Sequence, residues 1–224
     1  MANRQQAAHD VPFRYSTDEN AMQTTTARAI YEYWTRVKGG RDVPNRRDID
    51  PAELRHHLPD LFILEQSAGT VATFRLAGTR LCTLFGREMR GADFREMFAA
   101  NMQARASRAC ATALSRREPA TLQASAYGTS LEAVPVEILL LPMTSHTSRA
   151  DRIFGAAVPL RPVQHLDVPF RYMTLESVEM THEQVTALPA AEAAPSPSLV
   201  AVSRSDIGCT MRRIFHLRVF DGGR

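Results

Sequence analysis

The sequence is poor in cysteine and lysine and has no long apolar run, and each shortage excludes a class of protein. Its 224 residues contain three cysteines, Cys82, Cys110 and Cys209, and no two of them are closely spaced. This pattern excludes a disulfide framework and a Cys-x-x-Cys metal site. No uninterrupted apolar run approaches the roughly 18 residues of a membrane-spanning helix. We therefore expect no integral membrane segment.

The N-terminal sequence MANRQQAAHD is polar and lacks an apolar core, so we expect no secretory signal and a cytoplasmic protein. Lysine occurs only at Lys38, and arginine supplies the other 26 of the 27 basic residues. A GC-rich genome produces this bias through its codons. The net charge of +3 is small and the charges are well mixed along the sequence. We expect no nucleic-acid partner, because such proteins carry a concentrated basic stripe.

Hydrophobic periodicity predicts an α+β protein. Helices are predicted over 18–38, from Asp50-Pro51 to before Pro59, over 94–117 and within 173–188; strands are predicted over 61–65, 71–76, 121–128, 131–143 and 152–160. This order indicates a five-stranded antiparallel sheet with helices on one face, an N-terminal flanking helix and a C-terminal extension.

The corresponding organisation is a tail over 1–23, a domain over 24–160 and an extension over 161–224. An Ala/Pro/Ser linker occupies 190–198 of the extension. The apolar and basic segment after that linker suits a basic amphipathic helix for a membrane or a partner, but we favour a terminal element packed on its own domain, or a strand.

The segment Phe74–Phe98 has the most distinctive local pattern. A strand ends at Gly78, a small apolar turn follows, and Gly86–Gly91 is a second glycine-bounded turn. The element order and this segment resemble a PAS domain, and further motifs resemble one alphaproteobacterial PAS family once catalogued as a domain of unknown function. Those motifs are Tyr33-Trp34, Gly40-Arg41, Pro44, Arg46, Asp48-Ile49-Asp50-Pro51, Leu58-Pro59, Phe74–Thr79, Gly86–Gly91 and Leu139–Pro142.

The resemblance covers residues 24–160 and implies a stand-alone PAS protein without an attached kinase, cyclase or DNA-binding domain. Such a protein regulates bacterial signal transduction through protein–protein contacts, in two-component, cell-cycle, motility or stress control. The implied partners are histidine kinases or response regulators, and a homodimer is expected. The sequence has no Ser-His-Asp order, paired carboxylates or phosphate-binding glycine loop, so we expect no enzymatic activity.

PAS domains can bind ligands in a cup between the sheet and its helices. The residues expected to line such a cup are Phe74, Leu76, Leu81, Leu84, Phe85, Met89, Phe94, Phe98, Met102, Ile138, Leu140 and Phe154. The alternative function is therefore a sensor that binds a metabolite or lipid there. The same residues also suit a filled core, which we favour because no convergent polar group accompanies them.

Three cofactors are disfavoured by the residues present. Haem-binding PAS domains often use a histidine of the long helix, and 94–117 contains none. Flavin photosensors of this superfamily need an Asn-Cys-Arg-Phe-Leu-type run, which the neighbours of Cys82 do not match. Adjacent helical residues such as His56 and His57 point about 100° apart and cannot easily share a metal ion.

Two features predict interaction surfaces. Ile30, Trp34 and Val37 form an apolar stripe on the first helix, which we expect to pack on or beside the sheet and to supply a dimer surface. The hexapeptide DVPFRY occurs twice, at 10–15 and 167–172. Either the repeat is coincidence, or both copies dock into one kind of groove through Phe13, Tyr15, Phe170 and Tyr172.

Overall fold

The computed structural model describes residues 13–16, 22–67, 70–130, 132–145, 148–162, 165–166, 168–181, 212–214 and 217–219. The chain forms two compact units, Met1–Gln184 and Val185–Arg224. The second unit contains an antiparallel pair of short strands, Arg212–Ile214 and Leu217–Val219. A strand is one of the alternatives predicted for this segment.

The first unit contains seven strands and three α-helices among its described residues. The strands are β1 (Phe13–Ser16), β2 (Leu61–Glu65), β3 (Thr73–Ala77), β4 (Ala120–Tyr127), β5 (Ala133–Thr144), β6 (Ala150–Pro159) and β7 (Tyr172–Thr181). The α-helices are α1 (Thr25–Lys38), α2 (Thr79–Phe85) and α3 (Gln103–Arg116), and the short 3₁₀ helices are η1 (Arg46–Asp48), η2 (Leu58–Asp60) and η3 (Phe94–Met97).

All seven strands form one sheet in the order β1-β7-β4-β5-β6-β2-β3. The strands β2 to β7 pair antiparallel with one another, and β1 pairs in parallel with β7. The α+β class and the PAS-like antiparallel sheet are thus confirmed, with more strands than the five predicted. The sheet also continues beyond residue 160, where the sequence analysis ended the domain.

The helix predicted within 173–188 is wrong for its described part, because Tyr172–Thr181 forms β7. Met173, Leu175, Val178 and Met180 are buried, and an irregularity in the pairing with β4 separates Leu175 from Val178. The extra residue interrupts the two-residue period of a strand. That interruption made the segment look helical in sequence.

Two other predicted helices differ from the structure. The stretch 94–117 divides into η3 and α3, because the Ala99 N–H donates to the Met173 carbonyl (2.9 Å) and so diverts the chain. The start predicted at Asp50-Pro51 forms turns, in which the His57 N–H donates to the Leu54 carbonyl at 2.8 Å. Hydrogen bonds that span three residues give a tighter turn, with fewer residues per turn than an α-helix.

Both faces of the sheet are covered. We call the face under α2, η3 and α3 the helical face, and the face under α1 the α1 face. Each has its own apolar cluster. The expectation of helices on one face therefore holds for α2, η3 and α3, while the flanking helix α1 lies on the opposite face. Within the described residues, no helix is both long and apolar enough to cross a membrane.

Candidate functional site

The helical face carries most of the residues expected to line a ligand cup. At its centre, the Phe94 ring contacts three others, with centroid distances of 5.4 Å to Phe98, 6.1 Å to Phe74 and 6.2 Å to Phe62. The capping box of η3, formed by Asp93 and Glu96, fixes the chain where Phe94 enters the core. Aromatic rings at these separations have the tilted and edge-on contacts that stabilise cores.

Most of the expected cup residues belong to this cluster. They are Phe74, Leu81, Leu84, Phe85, Met89, Phe94, Phe98, Met102, Ile138 and Leu140. Two placements require correction: Leu76 on the edge strand β3 is 47% exposed, and Phe154 on β6 faces α1. The cluster also contains Phe62, Met97 and Phe170, which were not predicted as cup residues.

The cluster consists of buried apolar side chains. The buried Thr121, Glu137 and Thr181 alternate along their strands with cluster residues, so they lie on the α1 face. Within the helical-face cluster, burial raises the pKa of the Cys110 thiol, which therefore stays protonated. Among the described cluster residues, no group converges that could orient a polar ligand.

The second hexapeptide copy closes one end of the helical face. Phe170 is buried, its N–H donates to the Leu84 carbonyl at 2.6 Å, and its ring lies 6.0 Å from that of Phe85. Pro169 packs against Gly86, where an added Cβ would come within 2.7 Å of the proline Cβ. The Tyr172 ring stacks on that of Tyr127 at 5.3 Å. Phe170 is thus part of the domain core.

The α1 face buries the stripe that was predicted as an interaction surface. Ile30 is fully buried and Trp34 is 1% exposed, and Val37 packs at the edge of the same cluster. The Trp34 Nε1–H donates to the Pro142 carbonyl of β5 at 3.0 Å. Ile30 and Trp34 therefore pack on their own sheet, as expected for this helix, and a dimer surface on α1 stays a prediction.

A buried carboxylate anchors the start of α1. Glu137 of β5 accepts bonds from the backbone N–H groups of Gln23 (2.7 Å) and Thr24 (2.8 Å) and from the Thr24 hydroxyl (2.6 Å). The Gln123 amide also donates to it, at 3.2 Å. Thr24 in turn caps α1 by accepting the Ala27 N–H. An acidic side chain at a helix N-terminus is favoured by the helix dipole.

The charges are less evenly mixed than the sequence analysis expected. Residues 74–117, which form the cover of the helical face, contain nine arginines and three acidic residues. The rest of the chain contains 18 basic and 21 acidic residues. Arg90 and Arg108 are exposed, and within the described residues their guanidinium groups have no acidic partner. Three of the nine arginines pair with acids outside this range, Arg75 with Glu65, Arg80 with Asp60 and Arg117 with Asp42. The positive charge that remains on the cover is therefore carried by arginines such as Arg90 and Arg108.

A groove of about 400 Å³ lies beside η2, lined by Asp60, Arg80 and Arg161 among others. Asp60 is 2% exposed and accepts a bond from Arg80 Nη1 at 2.5 Å. Burial raises the pKa of Asp60, and the Arg80 guanidinium opposes that rise. The arrangement ties η2 to the first turn of α2.

Histidines do not gather into a site in the described chain. His56 accepts a bond from Arg55 Nε, and His57 lines a second groove of about 400 Å³ between α1 and residues 53–57. The described residues contain no group of three His, Cys, Asp or Glu side chains arranged for a metal ion.

Comparison with known families gives one match. The family model described as a PAS domain matches residues 22–158. The match begins just before α1 and ends within β6, so it spans both faces of the sheet. A search of the curated proteins found no match.

Proposed function

The chain belongs to the PAS domain family, and on that premise we propose that it is a non-enzymatic regulator of bacterial signal transduction that acts by binding other proteins. PAS membership indicates a sensory or regulatory role. The proposal adds the mode of action, contact with signalling proteins such as histidine kinases or response regulators in the cytoplasm. Homodimerisation is a further part of it.

The observation that carries the proposal is the filled helical face. Specific ligand pockets combine apolar walls with a few placed polar groups, and active sites need titratable groups within reach of each other. In the described cluster the side chains are apolar and closely packed. The remaining means of signalling is the surface of the domain.

The positive cover of the helical face supports an acidic protein surface as the partner. Its excess charge is +6 over residues 74–117, from nine arginines and three acids. Opposite charges on two proteins raise their association rate and select the orientation of docking. Arg90 and Arg108 are the exposed arginines most available for this contact, since no acidic side chain of the described chain neutralises them.

The test is affinity capture with full-length protein from native lysate, followed by binding measurements with the purified captured protein. We expect the double variant Arg90→Glu/Arg108→Glu to bind at least about tenfold more weakly, because it replaces attraction by repulsion. Wild-type binding should weaken as salt increases. The matched control is Arg46→Glu/Arg47→Glu, which changes the net charge equally on η1 and should bind normally.

Three results would contradict the proposal. The first is equal loss of binding in both double variants, which would indicate a net-charge effect without a defined surface. The second is capture that nuclease treatment abolishes, which would indicate nucleic acid as the partner. The third is reproducible turnover of a substrate by the purified chain.

The alternative is a small-molecule sensor whose cup opens to bind a metabolite or lipid. The composition of the helical face favours it, because Met89, Met97 and Met102 lie among the phenylalanines and methionine side chains adapt their shape. A ligand that binds only the folded state must raise the melting temperature. Screening a metabolite and lipid library by thermal shift distinguishes this alternative from a purely protein-binding role.

A further inference from the structure

The two edges of the sheet are covered in different ways. At β3, the outer edge bonds to residues 91–94: the Gly91 N–H donates to the Phe74 carbonyl (2.7 Å), and the Phe74 N–H donates to the Ala92 carbonyl (3.0 Å). The fully buried Phe94 ring fixes this cover to the core. The β3 edge is therefore closed by a segment that cannot leave without disrupting the helical face.

The other edge, β7, is covered by two separate segments. Ala99 bonds to Met173 at the start of the strand, and β1 covers its end. The β1 strand is only four residues long, Phe13–Ser16, and pairs in parallel with Val178–Thr181. Unpaired strand edges bind other extended segments, and a short edge strand is held by few hydrogen bonds.

Alternation along β7 identifies the groups that face β1. The Thr181 N–H donates to the Pro119 carbonyl on the β4 side, so the N–H and carbonyl groups of Val178 and Met180 face the opposite edge. In the observed register, the Arg14 and Ser16 N–H groups then face β7. The Phe13 and Tyr15 N–H groups face away from it.

The register places residues of complementary type opposite each other in β1 and β7. The β7 residues Val178, Glu179 and Met180 read apolar, acidic, apolar, and the residues opposite them in β1 read apolar, basic, apolar. Arg14 is exposed and lies opposite Glu179. Opposite charges across a strand pair stabilise it, and a one-residue shift would lose that match. The side chains of Phe13 and Tyr15 lie outside the described residues.

We propose that the outer edge of β7 over Val178–Thr181 is a strand-acceptor site for an extended apolar–basic–apolar segment of a partner protein. The strand β1 fills this site from within the chain and so inhibits partner binding. The inference rests on the proposed function only in assuming that a partner protein exists. The second hexapeptide copy does not compete for the edge, because Phe170 is buried in the core.

The probe for this site is a labelled peptide of residues 10–16, DVPFRYS, added to full-length protein. Wild type should bind it at least about tenfold more weakly than Arg14→Pro, because the tethered strand is present at a high effective concentration. Arg14→Pro removes an N–H that faces β7 and so opens the site. Tyr15→Pro is the matched control, since its N–H faces away, and it should behave like wild type.

A second peptide tests the recognition chemistry. DVPFEYS, with glutamate opposite Glu179, should bind Arg14→Pro several-fold more weakly than DVPFRYS. Should Arg14→Pro fail to unfold cooperatively, Arg14→Glu in the full chain opens the same edge by charge repulsion.

The inference is overturned if DVPFRYS does not bind a folded open variant, or if it binds wild type, Arg14→Pro and Tyr15→Pro equally. A wild-type dimer that Arg14→Pro converts to monomer would assign the edge to a second copy instead. Peptide binding uses purified components, so its failure is independent of whether Arg90 and Arg108 bind an acidic partner.

Discussion

On the helical face, α2, η3 and α3 are held by interlocked apolar side chains, whereas on the α1 face a single helix is held by apolar packing and buried polar bonds. Phe94 represents the first kind of contact, with three aromatic neighbours. Glu137 represents the second, with hydrogen bonds to Gln23, Thr24 and Gln123.

The difference matters for signalling. Apolar packing is insensitive to direction, so a cluster of this kind loses stability gradually when one group is removed. A buried carboxylate stabilises the fold only while all of its hydrogen bonds are kept, because each donor that loses its acceptor lowers the free energy of unfolding. We therefore expect α1 to undock before the helical face loses its packing, and Trp34, the only tryptophan in the chain, to report on that event.

The largest expected effect breaks the helical face. Phe94→Ala should lower the free energy of unfolding by about 3–5 kcal/mol, because it removes a fully buried ring from the aromatic group. Chemical denaturation followed by circular dichroism measures the loss. Leu76→Ala is the control on the exposed edge strand and should change stability by about 0.5 kcal/mol or less. Similar losses for both variants would contradict the assigned core.

A smaller change tests the α1 face. Glu137→Gln should lower the free energy of unfolding by about 2–3 kcal/mol. Both carboxylate oxygens of Glu137 accept hydrogen bonds, and the glutamine would replace one of them by an NH₂ group, which cannot accept a bond from the N–H or hydroxyl that faces it. We expect Trp34 emission to shift to longer wavelength at lower denaturant concentration than the loss of sheet structure. Thr24→Ala removes the hydroxyl bond and the helix cap and should cost about 1 kcal/mol. Coincident transitions in Glu137→Gln would contradict separate undocking.

Local patterns predicted the strands β2 to β6 closely, because alternation and turn residues mark them in the sequence. The strand β7 was missed, since Glu176 and Glu179 lie in a segment whose bulge interrupts the alternation. Its pairing with β4 joins residues between 45 and 60 positions apart, from Tyr127 with Tyr172 to Ala120 with Met180. Local periodicity can mark each segment as a strand, but it cannot show that two segments so far apart pair with each other.

The face of the sheet on which α1 packs could not be read from its stripe. Ile30 and Trp34 correctly predicted packing on the sheet, but an apolar stripe does not identify which of the two faces it contacts. The available signal was Glu137, a charge within the apolar run of β5. A buried carboxylate needs donors, and the N-terminus of a helix supplies them.

The end of α2 gives an intermediate test on the helical face. Gly86→Ala should cost about 2 kcal/mol, because φ is +62° and the new Cβ would meet Pro169. Gly91→Ala is the matched control: φ is +84° but nothing lies within 4 Å, so only the backbone cost of about 1 kcal/mol remains. Equal losses, measured by urea denaturation, would mean that contact with the second hexapeptide adds nothing.

The smallest effects are expected where η2 joins the two faces, and they depend on pH. Burial raises the pKa of Asp60 above its ordinary value of 3.8, so the folded state holds the proton more tightly than the unfolded state. The stability that Asp60 contributes is therefore lost as pH rises from that value through the folded pKa. In thermal melts, the Tm of Asp60→Asn relative to wild type should increase over this range and then level off.

Glu65 is the control of opposite sign. Arg75 and Arg152 lower its pKa, so the stability that Glu65 contributes is lost as pH falls. Glu65→Gln should accordingly be less stable than wild type near neutral pH, and a shift of the same sign for both variants would contradict this assignment of burial and ion pairing.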